Sequence, residues 1–161
     1  MSERYDFAIS LRIWHPSMSP GSITRRLQLT PRLKKTTGAA RRTPRGTLLG
    51  GVNPESYWVA DVVRHGVGSA GRRSSAEQHV ERFCKKLVRH AEFFRRVHRD
   101  GGHVRVWVDS HSRRNYTFEL TSQCLKSLEA AGVALVIDVY PYPQNWGDPN
   151  SGMQPTAYGR G

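Results

Sequence analysis

Between Ser75 and Arg99 the chain reads SAEQHVERFCKKLVRHAEFFRRVHR, and no other stretch limits the fold as much. Val80, Cys84, Leu87, Ala91, Phe94 and His98 recur at steps of four and three, which traces one face of an α-helix. Ser75 with Gln78 forms a capping box at the start, and Gly101-Gly102 stops the helix. A single helix here would span about 37 Å at roughly 1.5 Å per residue. Arg82, Lys86, Arg89 and Arg96 fall on its outward face. A rod that is apolar on one side and cationic on the other needs a broad surface to lie on, and several strands of a sheet supply one.

The flanking segments provide those strands. Phe7, Ile9, Leu11 and Ile13 alternate with Ala8, Ser10 and Arg12, as in a half-buried strand. Ser19-Pro20 reads as an N-cap followed by proline at the first helical position, opening a short helix with Ile23 and Leu27 inward. Ser56 to Val63 is a second strand, and residues 64–74 form a Gly/Ser/Arg connection. Val104, Val106 and Val108 line one face of a third strand, with Arg105, Trp107 and Asp109 on the other. Tyr116, Phe118 and Leu120 suggest a fourth. Thr121 caps a helix with Cys124, Leu125 and Leu128 inward, and Val133 to Tyr140 is the last strand.

Two segments lack such periodicity. Residues 30–55 are rich in Gly, Thr, Pro and Arg and read as a long basic loop carrying Arg41, Arg42 and Arg45. Residues 142–161 hold Pro and Gly without apolar repeats and read as a disordered tail behind a single domain over 1–141. The alternation of strands and helices predicts an α+β fold. It would have a single, mostly antiparallel sheet, helices on one face, and two βαβ halves as in ferredoxin-like folds.

Charge narrows the partners. The formal net charge is +12, concentrated in the first fifty residues and along the central helix. Such a surface suits nucleic acid or an acidic protein, and it equally describes a solvated helix face. No run approaches the roughly 18 apolar residues of a membrane span. The charged start MSERYDFAIS is no signal peptide, so a cytoplasmic location without membrane contact is expected. Cys84 and Cys124 fall on apolar helix positions and read as buried, reduced thiols rather than a disulfide framework or a zinc site.

The order of these pieces resembles a known family. Trp14-His15-Pro16-Ser17, Leu27-Gln28-Leu29-Thr30-Pro31, Arg41-Arg42-Thr43-Pro44-Arg45-Gly46-Thr47, Ser56-Tyr57-Trp58 and Asp138-Val139-Tyr140-Pro141 carry the likeness. Together they are similar to the bacterial domain-of-unknown-function family numbered 4279, over roughly residues 5–141. That resemblance implies no activity and transfers no catalytic residue. Small bacterial proteins of this build include immunity proteins, an analogy of fold only. The end, Met153 to Gly161, resembles the tails of proteins encoded by integron gene cassettes.

Catalytic patterns are weak throughout. No two of the seven histidines have zinc-protease spacing, no Gly-x-Ser-x-Gly elbow occurs, and the loop lacks a phosphate-cradling Gly-Lys-Ser/Thr core. No metal or cofactor is expected. The stronger feature is the sheet face left without helices, which receives Arg12, Tyr57, Arg105, Trp107, Asp109, Asp138 and Tyr140. Aromatic and charged side chains on such a face suggest a binding surface rimmed by Arg41, Arg42 and Arg45, unless loop 30–55 lies over it. The leading expectation is a non-enzymatic interaction domain for a protein partner, with homo-oligomerisation possible. A single-strand nucleic-acid binder ranks second and an enzyme with a cleft under the 30–55 loop third.

Overall fold

The computed structural model describes residues 4–69, 75–112 and 115–141. Among the described residues, seven strands and four α-helices follow in the order β1 (Arg4–His15), α1 (Pro20–Leu27), β2 (Leu33–Lys35), β3 (Ala40–Arg42), β4 (Leu48–Val52), β5 (Ser56–Ser69), α2 (Ala76–Leu87), α3 (Ala91–Arg99), β6 (His103–Ser112), α4 (Ser122–Ala131) and β7 (Ala134–Pro141). The main sheet runs β2-β5-β1-β6-β7, and β3 and β4 form a separate ribbon. β1 is antiparallel to both of its neighbours, while β6 and β7 run parallel through α4. The expected α+β architecture with a mostly antiparallel sheet is therefore present. The ferredoxin-like pairing of two βαβ halves is limited to one. The β6-α4-β7 unit is of that kind, whereas the chain returns from β1 and α1 to β5 antiparallel.

Alternation along the strands builds the core. Ile9, Leu11 and Ile13 of β1 and Val104, Val106 and Val108 of β6 are fully buried on the face that carries the helices. On β5, Trp58 and Ala60 continue that face, and the Trp58 indole donates to Thr24 Oγ1 at 3.0 Å to fasten α1. Ile23 and Leu27 of α1 are buried there as expected, beneath an N-cap in which Ser19 accepts from the Ser22 amide. Opposite Phe7, the register of β1 with β5 is irregular, and the partner is Gly66, where a Cβ would strike the Phe7 ring.

The central helix departs from a single rod. α2 and α3 are joined by one 3-10 turn, Val88–His90. Each 3-10 residue turns about 120° instead of 100°, so three of them advance the phase by roughly 60°. The inward position consequently falls on Val97, which is buried, and not on His98, which is exposed. Val80, Cys84, Leu87 and Phe94 are buried as the periodicity requires, and Ala91 is half-buried. Arg82, Lys86, Arg89 and Arg96 are all exposed.

Four further expectations change. Strand β5 continues through residues expected to form a connection, to Ser69. Tyr116, Phe118 and Leu120 form no strand; they are partly buried against the core in an extended segment. That segment is fixed from α2 instead, where Glu77 accepts from the Tyr5 hydroxyl at 2.7 Å and from the Glu119 amide at 3.4 Å. On α4 the inward residues are Cys124, Ser127, Leu128 and Ala131, while Leu125 is exposed. Residues 30–55 are not structureless, since they contain β2 and the β3-β4 ribbon. The expected tail, 142–161, lies outside the described residues.

Cys84 and Cys124 are free and buried, and burial, reinforced by the neighbouring Cys124, pushes the Cys84 thiol up to about 12. His15 performs a structural task. Its Nδ1 accepts from the amides of Ser17 and Met18 at 3.0 and 2.8 Å and so closes the turn from β1 into α1. Gly102, at the start of β6, has no room for a Cβ beside the Trp14 carbonyl at 2.6 Å.

Two stability tests follow from this packing. Leu87→Ala should cost about 2–5 kcal/mol in urea denaturation, and Arg89→Ala within about 0.5 kcal/mol. Equal effects would place the helix the wrong way round. The second concerns pH. Burial lowers the pKa of His15, and it acts the same way on His79, His90 and His111. The unfolded chain therefore takes up protons first as pH falls below about 6.5, and stability drops from there until the folded histidines also protonate. The melting temperature should fall between about pH 7.5 and 5.5, and fall less in His15→Asn, which keeps an acceptor near the Nδ1 position. An unchanged slope in that variant would assign the effect to the other three histidines.

Candidate functional site

The face of the sheet opposite the helices is built by the complementary set of alternating residues. The registers bring Tyr57, Val59 and Asp61 of β5 beside Trp14, Arg12 and Ser10 of β1, and these beside His103, Arg105 and Trp107 of β6. On β7, Val136, Asp138 and Tyr140 stand opposite Trp107, Asp109 and His111. Tyr57, Arg12, Trp14, Arg105, Trp107, Asp109 and Asp138 are all half-buried, so the face is neither core nor fully hydrated surface.

Arg12 is its centre. One guanidinium nitrogen donates to Asp109 Oδ2 at 2.9 Å, Nε donates to Ser10 Oγ at 3.0 Å, and the group lies 4.2 Å from the centre of the Trp107 ring. A cation over an indole face is worth about 0.5–2 kcal/mol, more as water is excluded. Arg105 repeats the arrangement more loosely over Trp14, at 5.5 Å. Trp14 also packs on Tyr57 at 4.8 Å and reaches Trp107 at 6.5 Å, so three adjacent strands carry a row of aromatic rings. Farther along, His111 packs on Tyr140 at 4.8 Å, and the Tyr140 hydroxyl donates to Asp138 Oδ2 at 2.7 Å.

The electrostatics follow from partial burial. Asp109 has its pKa raised, first by loss of water and also by Asp138 directly across the strand pair, and Arg12 only partly offsets this. The Trp107 indole N–H has no well-formed hydrogen bond, although its proximity eases the Asp109 charge. Burial raises the Tyr57 hydroxyl. The bond to Asp138 is the chief reason that Tyr140 is pushed up to about 12. At neutral pH both phenols are therefore protonated donors. Among the described residues no group of three or more His, Cys, Asp or Glu side chains is placed to hold a metal ion.

Seven of the expected residues thus share one face: Arg12, Tyr57, Arg105, Trp107, Asp109, Asp138 and Tyr140. Arg41, Arg42 and Arg45 stand apart. They belong to the β3-β4 ribbon, where Arg42 donates to the Gly46 carbonyl at 2.9 Å. β2 adds edgewise to β5, anchored by Arg32 on Asp61 at 2.8 Å, and every residue of β4 is exposed. Trp14 was the missed member of the site. Extending the β1 alternation two residues beyond Arg12 finds it.

The chain matches the family model described as "Domain of unknown function (DUF4279)" across residues 4–142, and it belongs to that family. No curated protein and no solved structure matches it. Among the described residues no helix is long and apolar enough to cross a membrane.

The Arg12–Asp109 pair is open to direct test. In Arg12→Gln the pKa of Asp109, followed by NMR of its side-chain carboxyl carbon, should rise further, because the guanidinium that does most to hold it down is removed. A constant value would mean that the pair does not form in solution.

Proposed function

We propose that this chain is a binding module whose helix-free sheet face receives a protein partner. The observation that carries this reading is the half-buried cluster of Arg12, Trp14, Trp107 and Arg105 at the centre of the sheet face opposite the helices. Strands hold these side chains in fixed register, so little conformational entropy is lost when a partner settles on them. Trp, Tyr and Arg are the residue types that most often dominate interface energetics, above all when ringed by polar groups. Ser10, Asp61, Asp138 and Tyr140 supply such a ring here. Small bacterial interaction proteins, immunity-like ones included, are the kind of protein this reading fits. The cassette-like end bears on genetic origin and not on mechanism.

A second reading has one specific observation in its favour. Tyr57, Trp14 and Trp107 give three neighbouring strands an aromatic row, which is how sheet-based modules stack single-stranded bases. Against it, one face of Trp107 is already occupied by Arg12, which a base would have to displace. An enzyme working under the 30–55 segment has less support, since that segment builds a sheet edge and an exposed ribbon.

The two binding readings separate in one set of measurements. A partner captured by the full chain from its source cells should be lost with Arg105→Ala and Trp107→Ala at unchanged melting temperature. Each loss should exceed about 2 kcal/mol, or roughly thirtyfold in Kd. A random single-stranded oligonucleotide should bind weakly at about 150 mM salt. Tight oligonucleotide binding there that disappears in Trp107→Ala would overturn the protein reading in favour of the nucleic-acid one.

A further inference from the structure

The helical layer holds a second feature, on the opposite side of the sheet from the aromatic face. Between α1 and α3 lies an open cleft of about 450 Å³. Arg26 enters it from the last turn of α1, and Arg95, Arg96 and Arg99 enter it from α3. Residues 92, 95, 96 and 99 recur at helical spacing, so α3 turns one whole face toward the cleft. Met18 and Phe93 line it too. Phe93 is only 8% exposed, whereas the four arginines are exposed.

Four guanidinium groups face a single carboxylate, Glu92, and that carboxylate pairs with none of them. Arg26, Arg95 and Arg96 have no ion pair among the described residues, and Arg99 reaches only Asp100, at 4.0 Å. Outside the cleft, Arg12 pairs with Asp109, and Arg32 and Arg64 pair with Asp61, while several scattered arginines also lack an ion pair among the described residues; what sets the cleft apart is that four arginines converge on one cavity. Like charges gathered in a concave site repel one another until an anion enters.

We propose that this cleft binds a small organic polyphosphate, of the nucleoside diphosphate kind. Guanidinium forks match phosphoryl oxygens in pairs, and several forks call for a ligand with more than one phosphoryl group. The volume falls within the range of ordinary small-molecule sites and exceeds what an inorganic ion fills. Phe93 and Met18 give the remainder of such a ligand an apolar surface. A nucleic-acid strand fits less well, because the site is a bounded cleft and not a continuous groove along which a backbone could run. This assignment is independent of the partner face, with which it shares no residue.

The test is calorimetric titration of the full chain with ADP, free of divalent metal, at about 150 mM salt. Saturable one-to-one binding is expected. Removing two forks in Arg26→Gln/Arg96→Gln should weaken it roughly a hundredfold, at about tenfold per fork. The charge-matched control Arg82→Gln/Arg89→Gln, on the outward surface of α2 and the 3-10 turn, should change it less than about twofold. AMP should bind more weakly than ADP. Equal losses in the two double variants would assign the binding to net charge and overturn the site. So would the absence of saturation at millimolar ADP, or tighter binding of a random oligonucleotide that does not depend on Arg26 and Arg96.

Discussion

Everything in this fold leans on β1. It is hydrogen-bonded on both edges, to β5 and to β6, and its odd-numbered residues from Tyr5 to Ile13 are buried against the helices. Strand alternation leaves its even-numbered residues no choice of side, because a shift of one residue would exchange the two sets completely. Burying Ile9, Leu11 and Ile13, each worth roughly 1.5–3 kcal/mol, therefore also sets Ser10, Arg12 and Trp14 on the opposite face. The candidate site is positioned by the core packing beneath it.

Both ends of β1 are secured by polar groups that belong to other elements. At its start the Tyr5 hydroxyl donates to Glu77 and accepts from the Ala76 amide, which joins the strand to the first turn of α2. At its end His15 Nδ1 takes two backbone amides and turns the chain toward α1. These bonds lie in a partly buried setting, where a missing partner costs more than the bond itself contributes. They explain why the Trp-His-Pro-Ser stretch sits where it does. Its histidine belongs to the architecture, and its tryptophan belongs to the face.

How much of this was legible depended on whether one period was sufficient. The β1, α1 and β6 patterns were readable because a single alternation or a single helical stripe decides burial at each position. The central helix was readable as far as Phe94, but not in its last turn. The 3-10 turn at Val88–His90 leaves no mark in hydrophobicity, since its three residues are not buried, and it moved the inward position from His98 to Val97. The 115–120 segment failed for the opposite reason. Its alternation is real, but Tyr116, Phe118 and Leu120 pack without a strand ladder, with contacts made by Glu77 from α2. The 30–55 segment hid its strands because β3 and β4 are fully exposed and so carry no burial pattern at all. Within the site, seven residues followed from alternation. The three arginines of the ribbon did not join them, because charge locates a residue on a surface without saying which surface.

The two surfaces handle their central positive charge differently, Arg12 being paired and Arg26, Arg95 and Arg96 of the cleft not, among the described residues. On the sheet face the central guanidinium is already spoken for: Arg12 has a carboxylate, a hydroxyl and an indole. Such a group is held in place and is presented as part of a rigid, mixed surface, which suits recognition of shape. In the α1-α3 cleft, Arg26, Arg95 and Arg96 have no ion pairs among the described residues, and Glu92 does not pair with them. Those charges are held together by the helices alone, against their own repulsion, and an incoming anion recovers that energy. A paired arginine on a strand and an unpaired cluster on a helix thus imply different ligands, although both add equally to the net charge of +12. Net charge by itself therefore forecasts general attraction to polyanions, and the pairing of each arginine decides where a specific ligand is held.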